Sequence, residues 1–449
     1  MQGVFTNISN FYFIGIGGIG MSALARYLYA LDKKVMGYDK TETSLTKELI
    51  TSGISIHYKE DLEKIPKSFL SKETTWIIYT PAVTGDHKEF QYFKKEGFTI
   101  KKRAELLGEI TKQYKTLAVA GTHGKTTTTA ILAHLLKESG VGITAFLGGI
   151  SENYHSNLVM TGTDVIVVEA DEFDRSFLQL SPDIAAITSM DADHLDIYKE
   201  ADALTESFVA FGSLVKEQLL VKKALPLDGL TFGIEDNADY CAINVQAKNG
   251  TYLFDLKTPE TLIIKLHLNL PGRHNLLNAV TAFAMALLYG SPSEALAKAL
   301  TSFKGVQRRF SYHINQEDLI YIDDYAHHPT EIDALHQAIR EMHPGKKVTA
   351  IFQPHLFSRT RDFANDFGKS LSKFDHTWLL DIYPARELPI KGVDAHWLLE
   401  KIPSKNKKYI TKQQLETQII NNPSDVWVTI GAGDIGEEVA TIKKILTTK

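Results

Sequence analysis

Short apolar runs, glycine-rich turns and amphipathic stretches alternate along this chain. Strands that alternate with helices are typical of parallel sheets, so the pattern predicts the α/β class. Three units combine a strand, a glycine-rich turn and a helix: Phe11 to Ile16 with Gly17, Gly18 and Gly20; Thr116 to Ala120 with Gly121, Gly124 and Lys125; and Val426 to Ile430 with Gly431, Gly433 and Gly436.

The first unit opens a doubly wound pattern. Strands are predicted at Phe11–Ile16, Lys34–Tyr38 and Trp76–Tyr79, with a helix over Met21–Leu31. Residues 101–115 are charged and poor in strand formers. They are predicted to form a helical connection to the next domain.

The second predicted domain starts near residue 108, and its hydrophobic pattern changes about half-way along. A helix over Thr126–Ser139 and strands at Val165–Glu169 and Ile184–Thr188 continue the parallel pattern. A hairpin turn at Lys248-Asn249-Gly250 and the alternation over Thr261–Leu270, which puts Ile264, Leu266, Leu268 and Leu270 on one face, predict a small antiparallel piece. Helices over Leu276–Tyr289 and Ser293–Ser302 follow.

The last part of the chain repeats the strand–helix pattern. Strands are predicted at Asp318–Ile322, Lys347–Phe352, Thr377–Asp381 and Val426–Ile430. The predicted domains are residues 1–107, 108–312 and 313–449, with Rossmann-like folds in the first and third.

Composition fits three soluble domains and excludes several partner classes. The chain has 449 residues, 44% hydrophobic and 23% charged, with a net charge of -5. Without a basic excess, neither nucleic acid nor an anionic membrane is expected as a partner. No signal peptide or spanning segment is evident, and the single cysteine, Cys241, is expected to be buried. A cytoplasmic enzyme, monomeric or weakly dimeric, is expected.

The most specific motif is Gly121-Thr122-His123-Gly124-Lys125-Thr126, which follows a strand and opens a helix. Backbone amides and the helix N-terminus favour phosphate oxygens there. Lys125 adds a positive charge, and the Thr126 hydroxyl can ligate Mg²⁺. The full phosphate-loop pattern has glycine at position 119, where this chain has Val119. A plain strand–helix turn is the alternative; ATP or GTP binding is favoured.

Two acidic segments follow apolar strands of the same domain, and each is predicted at a carboxyl end of the sheet. Glu169 begins Glu-Ala-Asp-Glu after one strand, and Asp-Ala-Asp-His, which ends at His194, follows another. Mg²⁺ prefers oxygen ligands, so Glu169 is a candidate ligand, while His194 is a less usual one. The alternative for an acidic loop residue is a solvated group or helix cap.

The N-terminal glycine loop, Gly15 to Gly20, fits the dinucleotide fingerprint, and Asp39 ends the next strand. Read alone, this loop favours NAD. A nucleotide-sugar diphosphate satisfies the same backbone amides, and a tight turn without a ligand is the third possibility.

The order of further motifs identifies a family. Over nearly its whole length the chain resembles the Mur ligases, and among them the alanine-adding branch. The resemblance rests on F-I-G-I-G-G-I-G-M-S, A-G-T-H-G-K-T-T-T, E-A-D-E, D-A-D-H-L-D, P-G-R-H-N-L-L-N, R-R-F, D-D-Y-A-H-H-P-T-E, F-Q-P-H-L-F-S-R-T-R-D and G-A-G-D-I-G.

The resemblance implies a UDP-binding domain, a central ATPase domain and a C-terminal Rossmann-like domain. It also implies a reaction. ATP would phosphorylate the lactyl carboxylate of UDP-N-acetylmuramate, and the amine of L-alanine would displace the phosphate.

Site residues carry over by position. ATP would be bound by Gly121, Thr122, His123, Gly124, Lys125, Thr126, Thr127, Asn275, Asn278, Arg309 and Asp324, and Mg²⁺ by Thr126, Glu169 and His194. The UDP-sugar would be bound by Gly15, Gly17, Gly18, Ile19, Gly20 and Asp39, and alanine by Tyr325, His355, Arg359 and Arg361. The predicted catalytic residues are Lys125, His194, His327, His328 and Arg359.

Several alternatives remain at this point. Asn275 could simply start the following helix, and His327 and His328 could both be surface loop residues. The acidic loop also departs from the usual family pattern at Phe173. Rival functions are a ligase that recycles a preformed tripeptide, a nicotinamide-dependent oxidoreductase and a non-enzymatic ATP switch.

Overall fold

The computed structural model describes residues 5–191, 201–248, 250–385 and 387–448. Three β-sheets built around parallel strands organise this part of the chain. The predicted α/β class is therefore confirmed. Among the described residues, no helix is both long and apolar enough to cross a membrane.

The first sheet has five strands in the order β3-β2-β1-β4-β5, and all its pairings are parallel. Its strands are β1 Asn10–Ile14, β2 Lys34–Tyr38, β3 Ser55–His57, β4 Thr75–Tyr79 and β5 Thr99–Lys102. Its helices are α1 Ile19–Ala30, α2 Ser44–Thr51, α3 Lys88–Lys95 and α4 Arg103–Thr111, with 3₁₀ turns at Leu62–Lys64 and Lys67–Phe69. The doubly wound prediction for this region is confirmed.

The prediction of a purely helical connection over residues 101–115 is wrong at its start. Strand β5 extends to Lys102 and pairs with β4, and only then does α4 begin. Lys101 places its ammonium 4.5 Å from the centre of the Trp76 ring. Edge strands tolerate lysines because one side of the strand faces solvent, so charge alone did not exclude a strand here.

The second sheet has ten strands in the order β15-β14-β13-β12-β11-β10-β6-β9-β7-β8. Its strands are β6 Thr116–Ala120, β7 Ile143–Ser151, β8 Ser156–Met160, β9 Val165–Ala170, β10 Ile184–Ile187, β11 Gln218–Lys222, β12 Leu230–Ile234, β13 Tyr240–Lys248, β14 Thr251–Lys257 and β15 Leu262–Leu268. The strands from β13 through β6 to β7 run parallel where their pairing is described, and β8 is antiparallel to β7. The helices that follow in this part of the chain are α5 Lys125–Glu138, α6 Ala201–Gly212, α7 Arg273–Tyr289 and α8 Ser293–Ser302, with a 3₁₀ segment at Phe173–Gln179.

The alternation predicted for Thr261–Leu270 holds only in part. Leu266 and Leu268 are buried, but Ile264 is 59% exposed. Lys265, which lies between Ile264 and Leu266, has a φ of 59°, in the left-handed region. This interrupts the period-two pattern, which requires extended backbone. Because β15 is also an edge strand, the side chain of Ile264 is left on the surface.

The third sheet has six strands in the order β16-β17-β21-β18-β19-β20. Its strands are β16 Ser311–Asn315, β17 Ile320–Asp324, β18 Val348–Phe352, β19 His376–Leu379, β20 Lys407–Tyr409 and β21 Val426–Ile430. Only β16 is antiparallel to its neighbour. The helices are α9 Pro329–Met342, α10 Phe357–Asp362, α11 Ala364–Leu371, α12 Ala395–Lys401, α13 Leu415–Asn421 and α14 Val439–Thr447, with 3₁₀ turns at Lys412–Gln414 and Asp434–Glu438.

The chain divides into two compact units. The first takes Met1–Asn244, Phe254–His267 and Leu277–Lys304, and the second takes Val245–Leu253, Leu268–Leu276 and Gly305–Lys449. The first sheet and the phosphate loop thus lie in one unit, and the third sheet lies in the other. The boundaries after residues 107 and 312 stay predictions. Cys241 is fully buried, as expected.

Candidate active site

The phosphate loop connects β6 to α5, and its glycines are required by its shape. Gly121 and Gly124 have φ values of 131° and 82°, which side-chain-bearing residues rarely adopt. A Cβ at Gly121 would lie 2.1 Å from Thr188 Oγ1, and one at Gly124 would lie 2.5 Å from Asn278 Oδ1. The loop is therefore packed tightly, with its backbone at the N-terminus of α5.

Side chains just after β10 hold this loop. Ser189 Oγ accepts a hydrogen bond from the backbone N–H of His123 at 2.8 Å and lies 2.9 Å from Thr122 Oγ1. Thr122 Oγ1 in turn accepts from the N–H of Asp191 at 3.0 Å. Ser189 could not be recognised from the sequence, since its contacts join residues more than sixty positions apart.

Lys125 is held inside the loop by a buried carboxylate. Its Nζ lies 2.7 Å from Glu172 Oε2 and donates to the carbonyl of Gly121 at 2.6 Å. Burial acts to lower the pKa of Lys125, but the carboxylates of Glu172, Asp171 and Glu169 outweigh it and raise that pKa. Lys125 is therefore a fixed cation at the phosphate loop.

The predicted metal ligands are placed on neighbouring segments. Thr126 lies in the first turn of α5 and is 7% exposed. Glu169 on β9 pairs with Val119 on β6, one residue before the phosphate-loop strand ends. Gly148 leaves room for the Glu169 carboxylate, because a Cβ there would be 2.0 Å from Glu169 Oε2. His194, the third predicted ligand, lies outside the described residues.

The N-terminal glycine loop is shaped by Asp39. One carboxylate oxygen of Asp39 accepts from the N–H of Gly17 at 2.7 Å, and the other accepts from Thr41 N–H at 3.0 Å. Gly15 has a φ of 85°, and Gly18 caps α1 in extended conformation without a side-chain hydrogen bond. Asp39 thus orients the loop backbone; its predicted contact with a nucleotide stays a prediction.

The two asparagines predicted to meet adenine lie in the first two turns of α7. Asn278 contacts the phosphate loop beside Gly124. Asn275 donates from Nδ2 to the carbonyl of Pro271 at 2.7 Å. The helix begins at Arg273, so Asn275 is not its starting residue. Three residues apart, the asparagines share one face of the helix.

In the second unit, Asp324 ties two segments to the end of β17. It accepts from the N–H of Phe310 at 2.7 Å and from the N–H of Ala326 at 2.7 Å. Burial raises the pKa of Asp324 to about 6, and Arg309 and the two hydrogen bonds only partly oppose this. The Arg309 guanidinium lies 5.1 Å from the centre of the Tyr325 ring and 3.8 Å from Glu331.

The two predicted catalytic histidines have different surroundings. His327 Nδ1 lies 2.9 Å from the carbonyl of Tyr325 and 3.4 Å from Glu331. Both partners are acceptors, so in the neutral ring the proton is on Nδ1 and Nε2 carries the lone pair. His328 is 5% exposed and is the N-cap of α9, where its Nδ1 accepts from Thr330 N–H at 3.4 Å.

Of the four residues predicted to bind alanine, His355 and Arg359 lie together near His327. The ring of His355 is centred 6.1 Å from that of His327 and stacks on Tyr383. Arg359, only 7% exposed, has Nη1 3.5 Å from His355 Nδ1. Arg361 is different, since its side chain is half-exposed and pairs with Asp362 at 2.7 Å.

The first arginine of the R-R-F motif has a structural role that sequence analysis missed. Arg308 pairs with Asp323 at 3.0 Å and donates to the carbonyl of Gly431 at 2.6 Å. It therefore joins the ends of β17 and β21. The R-R-F motif alone did not indicate which of its two arginines has this role.

Parallel sheets with a lysine-bearing phosphate loop define an α/β nucleotide-binding enzyme. Family models narrow this class. The model described as Mur ligase family, catalytic domain matches residues 10–115, the Mur ligase middle domain matches 119–286, and the Mur ligase, glutamate ligase domain matches 308–433. The chain belongs to the Mur ligase family.

Individual relatives are similar over almost their full lengths. A UDP-N-acetylmuramate--L-alanine ligase of Christiangramia forsetii is 60% identical over 443 residues, 98% of each chain. The structure of a UDP-N-acetylmuramate-alanine ligase from Thermotoga maritima has a TM-score of 0.83 at 29% identity, covering 98% of this chain and all of that one. A murein peptide ligase from Psychrobacter arcticus shares the fold, with a TM-score of 0.70 at 21% identity, covering 98% and 99%.

Proposed function

We propose that this protein joins L-alanine to UDP-N-acetylmuramate at the expense of ATP, giving UDP-N-acetylmuramoyl-L-alanine, ADP and phosphate. The observation that carries the proposal is the 60% identity to a ligase of that name over 98% of both chains. The reaction contributes to peptidoglycan precursor synthesis.

The chemistry explains the need for fixed cations. A carboxylate has no good leaving group, so it must first be activated. Its oxygen attacks the γ-phosphorus of ATP, and ADP leaves. The amine of L-alanine then adds to the acyl carbon, and phosphate departs with the former carboxylate oxygen. Attack of one anion on another requires positive charge at the transferring phosphoryl group. Lys125 is the described residue best placed to supply it.

The described residues of the predicted magnesium site fit that ion. Mg²⁺ takes few protein ligands and keeps waters and phosphate oxygens. The hydroxyl of Thr126 and the carboxylate of Glu169 match this donor set, and the room beside Gly148 accommodates the carboxylate. Bound there, Mg²⁺ would neutralise phosphate charge. His194 is retained as a proposed third ligand.

We assign the remaining roles from the surroundings of each residue. Asn275 and Asn278 would bind adenine, and Arg309 would neutralise nucleotide charge. The Gly15–Gly20 loop would bind the UDP diphosphate at the start of α1. His327 is a better proton acceptor than His328, since Glu331 orients its ring and His328 caps a helix. Arg359 would bind the alanine carboxylate, whereas Arg361 is already paired with Asp362.

A substrate screen tests the proposal against its closest rival. Phosphate release is measured with ATP, Mg²⁺ and UDP-N-acetylmuramate plus L-alanine, glycine, L-serine or the tripeptide that a recycling ligase accepts. We expect L-alanine to give the fastest release, with glycine or serine slower by about 10–200-fold. Release with the tripeptide but not with L-alanine would instead support the recycling function. Release without the UDP-sugar would favour an ATP switch.

We also propose that the enzyme works in the cytoplasm as a monomer or weak homodimer, without nucleic acid or membrane partners. Its net charge of -5 supports the absence of nucleic acid and anionic membrane partners.

A further inference from the structure

Arg103 links the two loops to which the substrates are assigned. It is the first residue of α4, and its Nη2 lies 3.0 Å from Asp171 Oδ2 in the acidic segment after β9. The two side chains are 21% and 35% exposed. An ion pair that is partly exposed to solvent contributes modestly to stability, so another anion can displace Asp171 at small cost.

The other side of the Arg103 guanidinium lies against Gly20. A Cβ at Gly20 would be 2.9 Å from Arg103 Nη1 and 3.0 Å from its Cδ. Gly20 belongs to the first turn of α1, where the helix dipole disfavours a cation. An anion beside the guanidinium relieves that repulsion. Asp171 provides one in this structure, and the diphosphate of a nucleotide sugar would provide a stronger one.

Asp171 is followed in sequence by the residue that holds the phosphate-loop lysine. Glu172 is fully buried and places both carboxylate oxygens within 3.0 Å of Lys125 Nζ. Four charged side chains therefore run from Gly20 to Gly121, with two carboxylates between two cations: Arg103, Asp171, Glu172 and Lys125.

In this arrangement Glu172 competes with the phosphates of ATP for the ammonium group of Lys125. A phosphate-loop lysine acts by reaching the β- and γ-phosphates, yet Lys125 is held by Glu172 and by a backbone carbonyl. The segment that carries Glu172 is also strained, since Asp174 and Arg175 both have a φ of 53°. A small shift of this segment would release Lys125.

We propose that Arg103 is a positioning residue that couples UDP-sugar binding to ATP binding. The inference rests on the proposed placement of the UDP diphosphate at Gly15–Gly20. The diphosphate draws the Arg103 guanidinium from Asp171, the acidic segment loosens, and Lys125 becomes available to ATP. Each substrate therefore raises the affinity for the other, as linkage requires.

Calorimetry of the full-length protein tests this coupling. The dissociation constant of a non-hydrolysable ATP analogue with Mg²⁺ is measured with and without saturating UDP-N-acetylmuramate. In the wild type we expect the UDP-sugar to lower it at least about five-fold. In Arg103→Ala we expect the analogue alone to bind as tightly as it does to the UDP-sugar-bound wild type, while UDP-sugar affinity falls.

A second variant distinguishes positioning from general damage. Asp171→Asn also frees the acidic segment, so it should tighten analogue binding and abolish the coupling, but it should not weaken the UDP-sugar. Lys101→Ala is the matched control. It removes a cation of the same stretch of chain whose pair with Glu109, at 3.4 Å, is about as exposed as the Arg103–Asp171 pair but does not involve the acidic segment, and it should leave both affinities and their coupling unchanged.

The outcomes separate this inference from the proposed function. Weaker analogue binding in Arg103→Ala, or an unchanged coupling ratio in either variant, would overturn the inference. A wild-type ratio near one would do the same. Failure of the wild type to bind UDP-N-acetylmuramate at all would overturn the proposed function itself.

Discussion

At the scale of single residues, the buried pair of Lys125 and Glu172 is central to the proposed chemistry. Lys125→Ala removes the fixed cation at the transferring phosphoryl group, so we expect ligation to fall at least about 10²–10³-fold. The dissociation constant of UDP-N-acetylmuramate should differ from the wild-type value by no more than about five-fold, which is the effect of losing the coupling to ATP. Initial rates of phosphate release and calorimetry measure the two quantities.

Controls for this substitution address folding. Lys125→Ala leaves the Glu172 carboxylate buried without its cation, which typically costs about 3–5 kcal/mol. The double variant with Glu172→Gln should recover that stability but not activity. Lys137→Ala, on the same helix, should behave as wild type. Restored ligation in the double variant would contradict the role given to Lys125.

The two neighbouring histidines should separate into a chemical and a structural residue. His327→Asn should lower kcat by about 10²-fold or more, because general-base catalysis contributes at least that much. His328→Ala should instead lower the free energy of unfolding by about 1 kcal/mol through loss of the α9 cap. Steady-state kinetics and urea unfolding measure the two effects.

The conservative variant at the cap checks this division. Asparagine is a favoured N-cap, so His328→Asn should restore the stability that His328→Ala loses. If kcat fell more for His328→Asn than for His327→Asn, the assignment of the proton acceptor would have to be exchanged.

Asp324 should make stability depend on pH. Burial raises its pKa to about 6, above the value of about 3.9 for an unfolded aspartate. Its contribution to folding is therefore complete below about pH 4 and is lost as the pH rises through 6. Asp324→Asn carries no charge, so between pH 4 and 7.5 the wild type should lose on the order of 3 kcal/mol relative to this variant.

Tryptophan fluorescence during urea unfolding measures this difference, because Trp378, Trp397 and Trp427 all belong to the second unit. A difference between the two proteins that stays flat from pH 4 to 7.5 would show that Asp324 is ionised as easily in the folded state as in the unfolded chain.

At the scale of elements, several interior strands were predicted with their bounds, but the interior strands β7, β11 and β12 and two short edge strands were not predicted. The strands Lys34–Tyr38, Thr116–Ala120 and Val426–Ile430 and the helix Ser293–Ser302 have the predicted bounds. By contrast, β3 and β20 were missed. Each has three residues at a sheet edge, too few for a periodic signal. Their conformation depends on pairing with a neighbour rather than on local sequence.

The same reason limits what the sequence reveals about the site. The phosphate loop is local, so its glycines and Lys125 could be identified from consecutive residues. Ser189, Arg103 and Arg308 could not, because each acts on residues distant in sequence. Motifs therefore located the chemistry, while the side chains that hold the motifs in place required the three-dimensional structure.

Close packing between two elements requires glycine at position 108. Helix α4 meets the 3₁₀ segment Phe173–Gln179 there, and a Cβ would lie 2.4 Å from the carbonyl oxygen of Gln179. Gly108→Ala should therefore destabilise the protein by about 1–3 kcal/mol, even though alanine favours helices. Gly85→Ala is the control, since no atom lies within 4 Å of a Cβ at that position. Thermal unfolding compares them, and equal midpoints would contradict the packing argument.

At the scale of the whole molecule, three Mur ligase models in succession cover most of the chain. Such continuity means that the likeness to Mur ligases extends along the chain and is not confined to one nucleotide site. It also explains why the N-terminal glycine loop is ambiguous when read alone. Its amides fit any diphosphate, and only the domains that follow it favour UDP over NAD.

Oxygen labelling tests most directly whether ATP activates the substrate carboxylate as an acyl phosphate. UDP-N-acetylmuramate carrying ¹⁸O in its lactyl carboxylate is incubated with the enzyme, ATP, Mg²⁺ and L-alanine. The released phosphate is then analysed by mass spectrometry. The mechanism predicts that each phosphate carries one oxygen from the carboxylate, and that the new amide retains the other. Unlabelled phosphate alongside amide product would contradict the acyl phosphate.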